Sequence, residues 1–106
     1  MDIFPKFIIE TDEELGDCLI ISKCTYHREL VTNKNMVKGG GWYRVNTENK
    51  SITFGGESHD FGAAKIEDIK NCINNGNIYT NKYLTHSIAK DFKFLYDIGS
   101  EIISLK

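Results

Sequence analysis

The chain has 106 residues, 41% of them hydrophobic and 26% charged, and its formal net charge is −2. This composition is typical of a soluble globular protein, and the length predicts a single domain over residues 1–106. The Lys and Arg residues are scattered, and no apolar run approaches the ~18 residues of a membrane span. We therefore expect neither a nucleic-acid partner nor a membrane partner.

The cysteines point to a reducing compartment. Cys18, Cys24 and Cys72 are odd in number, widely spaced and without a CxxC pattern. Such cysteines are typical of intracellular proteins, in which disulfides are rare. We predict that they are reduced core thiols of a cytoplasmic protein.

The first third of the chain predicts two strands. Residues 4–9 are mostly apolar and indicate a short strand. The run Cys18–Tyr26 is rich in β-branched residues and almost continuously apolar, which favours a strand buried on both faces. The acidic stretch Thr11–Asp17 between them is interpreted as a turn, and His27–Val31 has the length of one helical turn.

Three consecutive glycines, Gly39–Gly41, come next and are followed by two strand patterns. Trp42–Val45 and Ile52–Phe54 flank the polar stretch Asn46–Lys50, so we predict an antiparallel hairpin. Consecutive glycines are entropically costly and are kept where φ is positive or another group comes close. We interpret them either as a bulge that enters the strand or as a point of ligand contact.

The clearest periodic pattern lies in residues 63–74. Ile66, Ile69 and Ile73 recur on one face of a 3.6-residue repeat, and this face should pack against the sheet. We interpret the Ser58–Asp60 cluster either as an N-cap of the helix, through a Ser or Asp side chain, or as a point where the free N–H groups of the helix N-terminus bind a ligand anion; Gly76 is expected to cap the C-terminus.

The last quarter of the chain returns to strand patterns. Ile78–Thr80 starts an extended segment, and Thr85–Asp91 has no clear pattern. Phe92–Ile98 reads as a strand, and a Gly-Ser turn joins it to Glu101–Leu105, which predicts a closing β-hairpin. The expected fold class is α+β, a single mostly antiparallel sheet with one helix, residues 63–74, packed on it.

The stretch from Gly39 to Gly62 resembles the Janus/Ocnus family of small protein-histidine phosphatases. That family carries three glycines, a hairpin, and then a segment of the form hydrophobic-x-hydrophobic-Tyr-Gly-Tyr-Ser-x-x-Tyr-Gly. The corresponding residues here are Ile52-Thr53-Phe54-Gly55-Gly56-Glu57-Ser58-His59-Asp60-Phe61-Gly62. The similarity covers about a quarter of the chain, with a looser match at Cys18–Ile21.

The resemblance implies a mixed sheet with helices and a transfer of phosphate from a phosphohistidine to a catalytic histidine. His27 is the only histidine before the glycines, and the resemblance implies it as the catalytic residue. Ser58 matches the family serine that holds the phosphate together with backbone amides, which are suitable donors for an anion. No cofactor is implied.

The departures from the family pattern predict a weakened phosphate site. Trp42 stands in place of a basic residue, and Glu57 and Asp60 bring two carboxylates that oppose a phosphate dianion. We therefore expect a ligand- or protein-binding module with a degenerate phosphate site. The small anionic ligand or protein partner is expected to contact Gly39, Gly40, Gly41, Trp42, Gly56, Ser58, His59 and Asp60.

Two other functions stay open. One is an active phosphohistidine phosphatase with His27 as nucleophile, which requires His27 to lie near the Ser58 loop. The other is a structural protein whose C-terminal hairpin pairs edge to edge in a homo-oligomer. Adjacent Ser58, His59 and Asp60 cannot easily form a catalytic triad. No two of the three histidines, including His86, have ligand spacing, so no metal site is predicted.

Overall fold

The computed structural model describes residues 4–24, 26–80 and 91–105, whose strands form one seven-stranded mixed sheet that curves into a half-barrel. The unpatterned stretch Thr85–Asp91 lies outside these ranges except for its last residue. In chain order the strands are β1 (Phe4–Asp12), β2 (Gly16–Cys24), β3 (Val37–Asn46), β4 (Ser51–Gly55), β5 (Ile78–Thr80), β6 (Lys93–Asp97) and β7 (Ile102–Ser104). Across the sheet their order is β5-β2-β1-β3-β4-β6-β7.

The two hairpins predicted from the sequence are confirmed. Tyr43 of β3 lies opposite Phe54 of β4, and Tyr96 of β6 lies opposite Ile103 of β7, with both pairs of strands antiparallel. In each hairpin a short polar or glycine-containing stretch separates two apolar runs, which is the local signal for a turn. β1 pairs antiparallel with both β2 and β3 and is central to the N-terminal half of the sheet.

The expectation of a mostly antiparallel sheet is wrong, because the sheet is mixed. β5 runs parallel to β2, and β6 runs parallel to β4. After β4 the chain passes through the helix α1 (Ile66–Asn74). It then re-enters the sheet as the edge strand β5, beside β2. A hairpin turn leaves a signal in the sequence, whereas a crossover connection does not indicate which strand it will join.

One face of the sheet carries the main hydrophobic core. Phe7 and Ile9 alternate along β1 with residues of the other face, and both are fully buried in this core. The rings of Phe7 and Phe54 meet edge to face, with centroids 5.2 Å apart and planes at 82°. Helix α1 adds its buried residues Ile69, Cys72 and Ile73. The predicted apolar face of the helix is therefore confirmed.

Helix α1 begins at Ile66, three residues later than predicted. Its N-cap is Lys65, which makes no capping side-chain hydrogen bond, so the expected cap from Ser58–Asp60 is wrong. The delay arises because Ala63 forms a parallel bridge with Gly40 of β3 and is held in the plane of the sheet. The other end agrees with the sequence, since Gly76 has a φ of +72° and follows the last turn of the helix.

The segment that joins β2 to β3 is tied to β1 by a buried carboxylate. This segment contains two 3₁₀ helices, His27–Leu30 and Lys34–Met36, of which the first matches the predicted helical turn. Glu10 accepts hydrogen bonds from the backbone N–H groups of Thr32 and Asn33, at 2.8 and 3.4 Å. Hydrogen bonds to an ionised group are stronger than neutral ones, so Glu10 fixes the position of the first 3₁₀ helix relative to the sheet.

The packing of α1 is tested by Ile69→Asp. Ile69 is fully buried, so the variant puts an unpaired carboxylate into the core, and the free energy of unfolding should fall by more than about 3 kcal/mol. Urea denaturation followed by circular dichroism measures the loss. Asn71→Asp adds the same charge at an exposed position of α1 and should cost less than about 0.5 kcal/mol. Equal stabilities of the two variants would contradict the packing.

Thiol labelling tests the placement of the buried cysteines, Cys18 and Cys72. Burial raises the pKa of Cys72 to about 12 and also raises that of Cys18, and only the thiolate form is reactive. In a Cys24→Ser variant, which leaves only these two thiols, a bulky maleimide at pH 7 should label neither residue in the native state. Both should react in urea. Rapid labelling of the folded variant would show that the two thiols are not in the core.

Candidate ligand-binding site

The glycines Gly39–Gly41 lie in β3, where neighbouring backbones come unusually close. A Cβ on Gly39 would lie 2.6 Å from the carbonyl oxygen of Ala63, and a Cβ on Gly41 would overlap the carbonyl oxygen of Gly55. Gly39 has a φ of +132°, and the register between β1 and β3 shifts just before it. The interpretation as a bulge that enters the strand is confirmed, and close backbone packing explains the glycines.

His27 lies against this glycine strand. Its Nε2–H donates to the carbonyl oxygen of Gly41 at 2.8 Å, and its Cδ2 lies 3.2 Å from the position of a Cβ on Gly40. Because a carbonyl only accepts, the neutral ring carries its proton on Nε2 and its lone pair on Nδ1. Burial lowers the pKa of His27, and Lys6 adds to this effect, while the Gly41 bond and Asp60 oppose it. The imidazole is therefore mainly neutral at pH 7, with Nδ1 as its basic atom.

The loop Ser58–Gly62 closes on itself. The Ser58 N–H is shared between the carbonyl oxygens of Gly40 and Gly62, at 3.1 Å each. The Gly62 N–H donates to the carbonyl oxygen of Ser58 at 2.9 Å. The Ser58 hydroxyl oxygen accepts from the N–H of Phe61 at 3.2 Å, and the residue is only 2% exposed. Three amides of the loop are thus already bonded within the protein. The serine hydroxyl stabilises the turn.

His27 and this loop meet on the same short piece of β3. His27 is bonded to Gly41, and the loop is bonded to Gly40 through Ser58 and Gly62. Asp60 of the loop is near enough to affect the pKa of His27. The loop and the imidazole are therefore neighbours and are not separated by the sheet, which is the arrangement that a phosphatase would require.

A groove of about 440 Å³ lies beside the loop. Its lining residues are Arg28, Val31, Thr32, Lys34, Asp60 and Phe61. Two cations and one carboxylate line this groove, so a small anionic group finds a net positive surrounding at the groove itself. Arg28 follows His27 in the first 3₁₀ helix and is held over the ring of Tyr26, with its guanidinium carbon 4.2 Å from the ring centroid.

A second groove, of about 780 Å³, lies where β4 and β6 end and α1 begins. Trp42 and Gly56 line it, together with residues such as Tyr96 and Ile98. The Trp42 ring lies over the backbone of β4, because a Cβ on Gly55 would lie 2.5 Å from its Cζ2 atom. The glycines of this segment therefore make room for the indole.

The remaining predicted contact residues are exposed. His59 and Asp60 lie at the tip of the closed loop, and Gly56 has a φ of +67°. Arg28 and Lys34 were missed by the sequence reasoning, because two basic residues six positions apart form no motif. Only the folding of the segment between β2 and β3 brings them to the loop.

Neither a metal site nor a membrane span is found in the described ranges. Among residues 4–24, 26–80 and 91–105, no group of three His, Cys, Asp or Glu side chains is arranged to hold a metal ion, and His86 lies outside them. No helix in that part of the chain is both long enough and apolar enough to cross a membrane.

Comparison with known proteins found no matching protein-family model, no matching curated protein and no matching solved structure. The Janus/Ocnus resemblance therefore stays a prediction that rests on the stretch Gly39–Gly62.

Proposed function

We propose that the chain is a Janus/Ocnus-like binding module with a degenerate phosphate site. It binds a small anionic ligand in the groove between the first 3₁₀ helix and the Ser58–Gly62 loop. The observation that carries this proposal is that three loop amides, those of Ser58, Phe61 and Gly62, are already bonded within the protein, the Phe61 amide to the hydroxyl oxygen of Ser58. A phosphate would have to break these bonds to obtain the donors that phosphoryl transfer needs.

The cations of the groove support anion binding. Arg28 and Lys34 lie on the segment that Glu10 ties to β1, so their backbone is held in place before a ligand arrives. A held segment loses less conformational entropy on binding than a free one. Arg28 can bond a planar or tetrahedral oxyanion through two N–H groups, and Lys34 adds a single positive charge.

The carboxylates of the loop limit this affinity. Asp60 lines the groove, and Glu57 is exposed beside it in sequence. A carboxylate about 5 Å from a unit negative charge costs about 3 kcal/mol at an effective dielectric constant of 20. Asp60 thus offsets part of the attraction from the two cations that line the groove, and Glu57 repels from outside the lining, so phosphate affinity should be in the millimolar range or weaker.

A phosphohistidine phosphatase is the second candidate, and the position of His27 favours it. The neutral imidazole has its lone pair on Nδ1, and its Nε2–H is fixed on Gly41. In that reaction Nδ1 attacks phosphorus as the N–P bond of the substrate breaks, and water then hydrolyses the new phosphohistidine. The binding-module proposal is preferred because the N–H groups of Ser58, Phe61 and Gly62 are already bonded within the protein, and a transferred phosphoryl group would have to compete for them.

A cytoplasmic location belongs to the same proposal. The buried thiols Cys18 and Cys72 are free, as expected of a protein kept in a reducing compartment. Secretion of the protein with an intact disulfide would contradict this part of the proposal.

Phosphate titration followed by amide NMR tests the site. We expect a dissociation constant of about 1 mM or more, with shifts concentrated in the first 3₁₀ helix and in residues 58–62. Glu57→Gln with Asp60→Ala should tighten binding by about tenfold, because repulsion is removed. Arg28→Gln with Lys34→Gln should abolish the shifts, while Lys70→Gln on the exposed side of α1 should leave them unchanged. Equal affinity of wild type and the Arg28/Lys34 variant would place the ligand elsewhere.

Hydrolysis of a phosphohistidine peptide separates the two candidate functions. We expect no turnover above the rate of the uncatalysed reaction, because the amides of Ser58, Phe61 and Gly62 are already bonded within the protein. His27→Ala is the test variant, and His59→Ala is its control, since His59 is exposed at the loop tip. Turnover by wild type and by His59→Ala that is lost in His27→Ala would reject the binding-module proposal in favour of the phosphatase.

A further inference from the structure

Three aromatic side chains of this protein each lie beside a cation. The pairs, with the distance from the cation to the ring centroid, are Lys6–Phe4 at 5.0 Å, Arg28–Tyr26 at 4.2 Å and Arg44–Trp42 at 5.3 Å. These distances are within the range of cation–π attraction. We call this set of six residues the cationic-aromatic face.

Strand register places two of the pairs next to each other. Phe7 of β1 and Tyr43 of β3 point into the main core, so the residues that alternate with them point to the other face of the sheet. Lys6 lies directly opposite Trp42. Because β1 and β3 are antiparallel, Phe4 and Arg44 each lie two residues from this pair toward the same end of the two strands.

The third pair lies at the margin of the same face. Phe4 is opposite Cys24, the last residue of β2, and Tyr26 follows two positions later. His27 then packs onto Gly40 beside the side chain of Ile8, which belongs to the face opposite the core. The pair Arg28–Tyr26 therefore continues the row that β1 and β3 begin.

This face is open and locally basic. Phe4 is 53% exposed and Tyr26 is 50% exposed, which is unusual for rings of this size. Arg28 and Arg44 are exposed as well. Residues 4–8 and 40–44 contain no acid. Glu10 lies further along the same face of β1 and is bonded to the Thr32 and Asn33 amides, while Glu29 accepts from the Tyr26 N–H and Asp60 affects the pKa of His27.

We propose that the cationic-aromatic face binds single-stranded nucleic acid. Unpaired bases stack on aromatic rings and on arginine guanidinium planes, and the phosphates between them pair with neighbouring cations. An interleaved row of rings and cations on a sheet provides both kinds of contact at once. Duplex nucleic acid does not fit this description, because its bases are already stacked and only its phosphates would be contacted.

The net charge of the chain does not oppose this inference. A value of −2 describes the whole molecule, whereas binding depends on the local field of one face. Lys6, Arg28 and Arg44 are far apart in sequence, so the sequence alone shows them only as scattered cations. Folding brings them to one surface.

The proposal stands apart from the anion groove, since Arg28 is the only residue that the two sites share. Lys34→Gln distinguishes them. It should weaken phosphate binding in the groove and leave the affinity for a single strand unchanged within about twofold.

Fluorescence anisotropy with a labelled 12-residue oligothymidylate tests the face. At low salt we expect micromolar affinity and a slope of log K against log salt of about −2, because about three phosphates are neutralised at roughly 0.7 each. Phe4→Leu with Tyr26→Leu keeps charge and apolar bulk but removes stacking, and it should weaken binding by about tenfold or more. Arg28→Gln with Arg44→Gln should reduce the slope by about 1.4.

Matched controls and competitors decide the outcome. Tyr79→Leu and Lys70→Gln remove an exposed ring on β5 and an exposed cation on α1, and both should bind as wild type does. Circular dichroism checks that each variant is folded. The proposal is overturned if the oligonucleotide does not bind, if the Phe4/Tyr26 variant binds as well as wild type, or if duplex DNA or polyphosphate competes equally well. Binding to anionic phosphatidylserine vesicles in preference to the oligonucleotide would assign the face to a membrane instead.

Discussion

The rest of this structure depends on the absence of side chains at Gly39–Gly41. Backbones of β1, of the end of β4 and of the residue Ala63 approach this part of β3 more closely than any Cβ would permit. The same gap lets His27 approach the strand and bond to Gly41. Three glycines cost conformational entropy, and that cost is offset by the backbone pairing that they allow. One constraint therefore positions the bulge, the closed loop and the imidazole together.

The close approach at the glycines also bears on the choice between the proposed binding function and catalysis. The amide of Ser58 bonds to Gly40 of β3, those of Phe61 and Gly62 bond within the loop, and a buried N–H that is already bonded is costly to release. His27 keeps the properties of a usable nucleophile, being neutral and oriented, but its neighbours are a closed loop and the carboxylate of Asp60. The cations that remain accessible lie to the side, on the segment that Glu10 anchors.

Sequence reasoning succeeded where the determinants are local. The hairpin β3–β4 follows from a polar turn between apolar runs, and the core face of α1 follows from the spacing of Ile66, Ile69 and Ile73. It failed on the parallel partners of β5 and β6, because crossover connections carry no record of their destination. It also misplaced the start of α1, where a bridge between Ala63 and Gly40 overrides the local preference for helix.

By itself the sequence indicated most of the strands and the helix, the burial of Cys18 and Cys72, and the importance of the glycine stretch. Hydrophobic periodicity, turn residues and the entropic cost of glycine all act within a few residues of the chain. The tertiary structure alone decided that the Ser58 hydroxyl supports a turn and that Arg28 and Lys34 face Asp60. It also decided which cations share a surface. Lys6 and Arg44 are 38 positions apart, and they meet because the register of β1 on β3 puts Lys6 opposite Trp42. The spacing of charges along the sequence does not show which of them share a surface. That is set by strand register, which depends on pairing between distant segments.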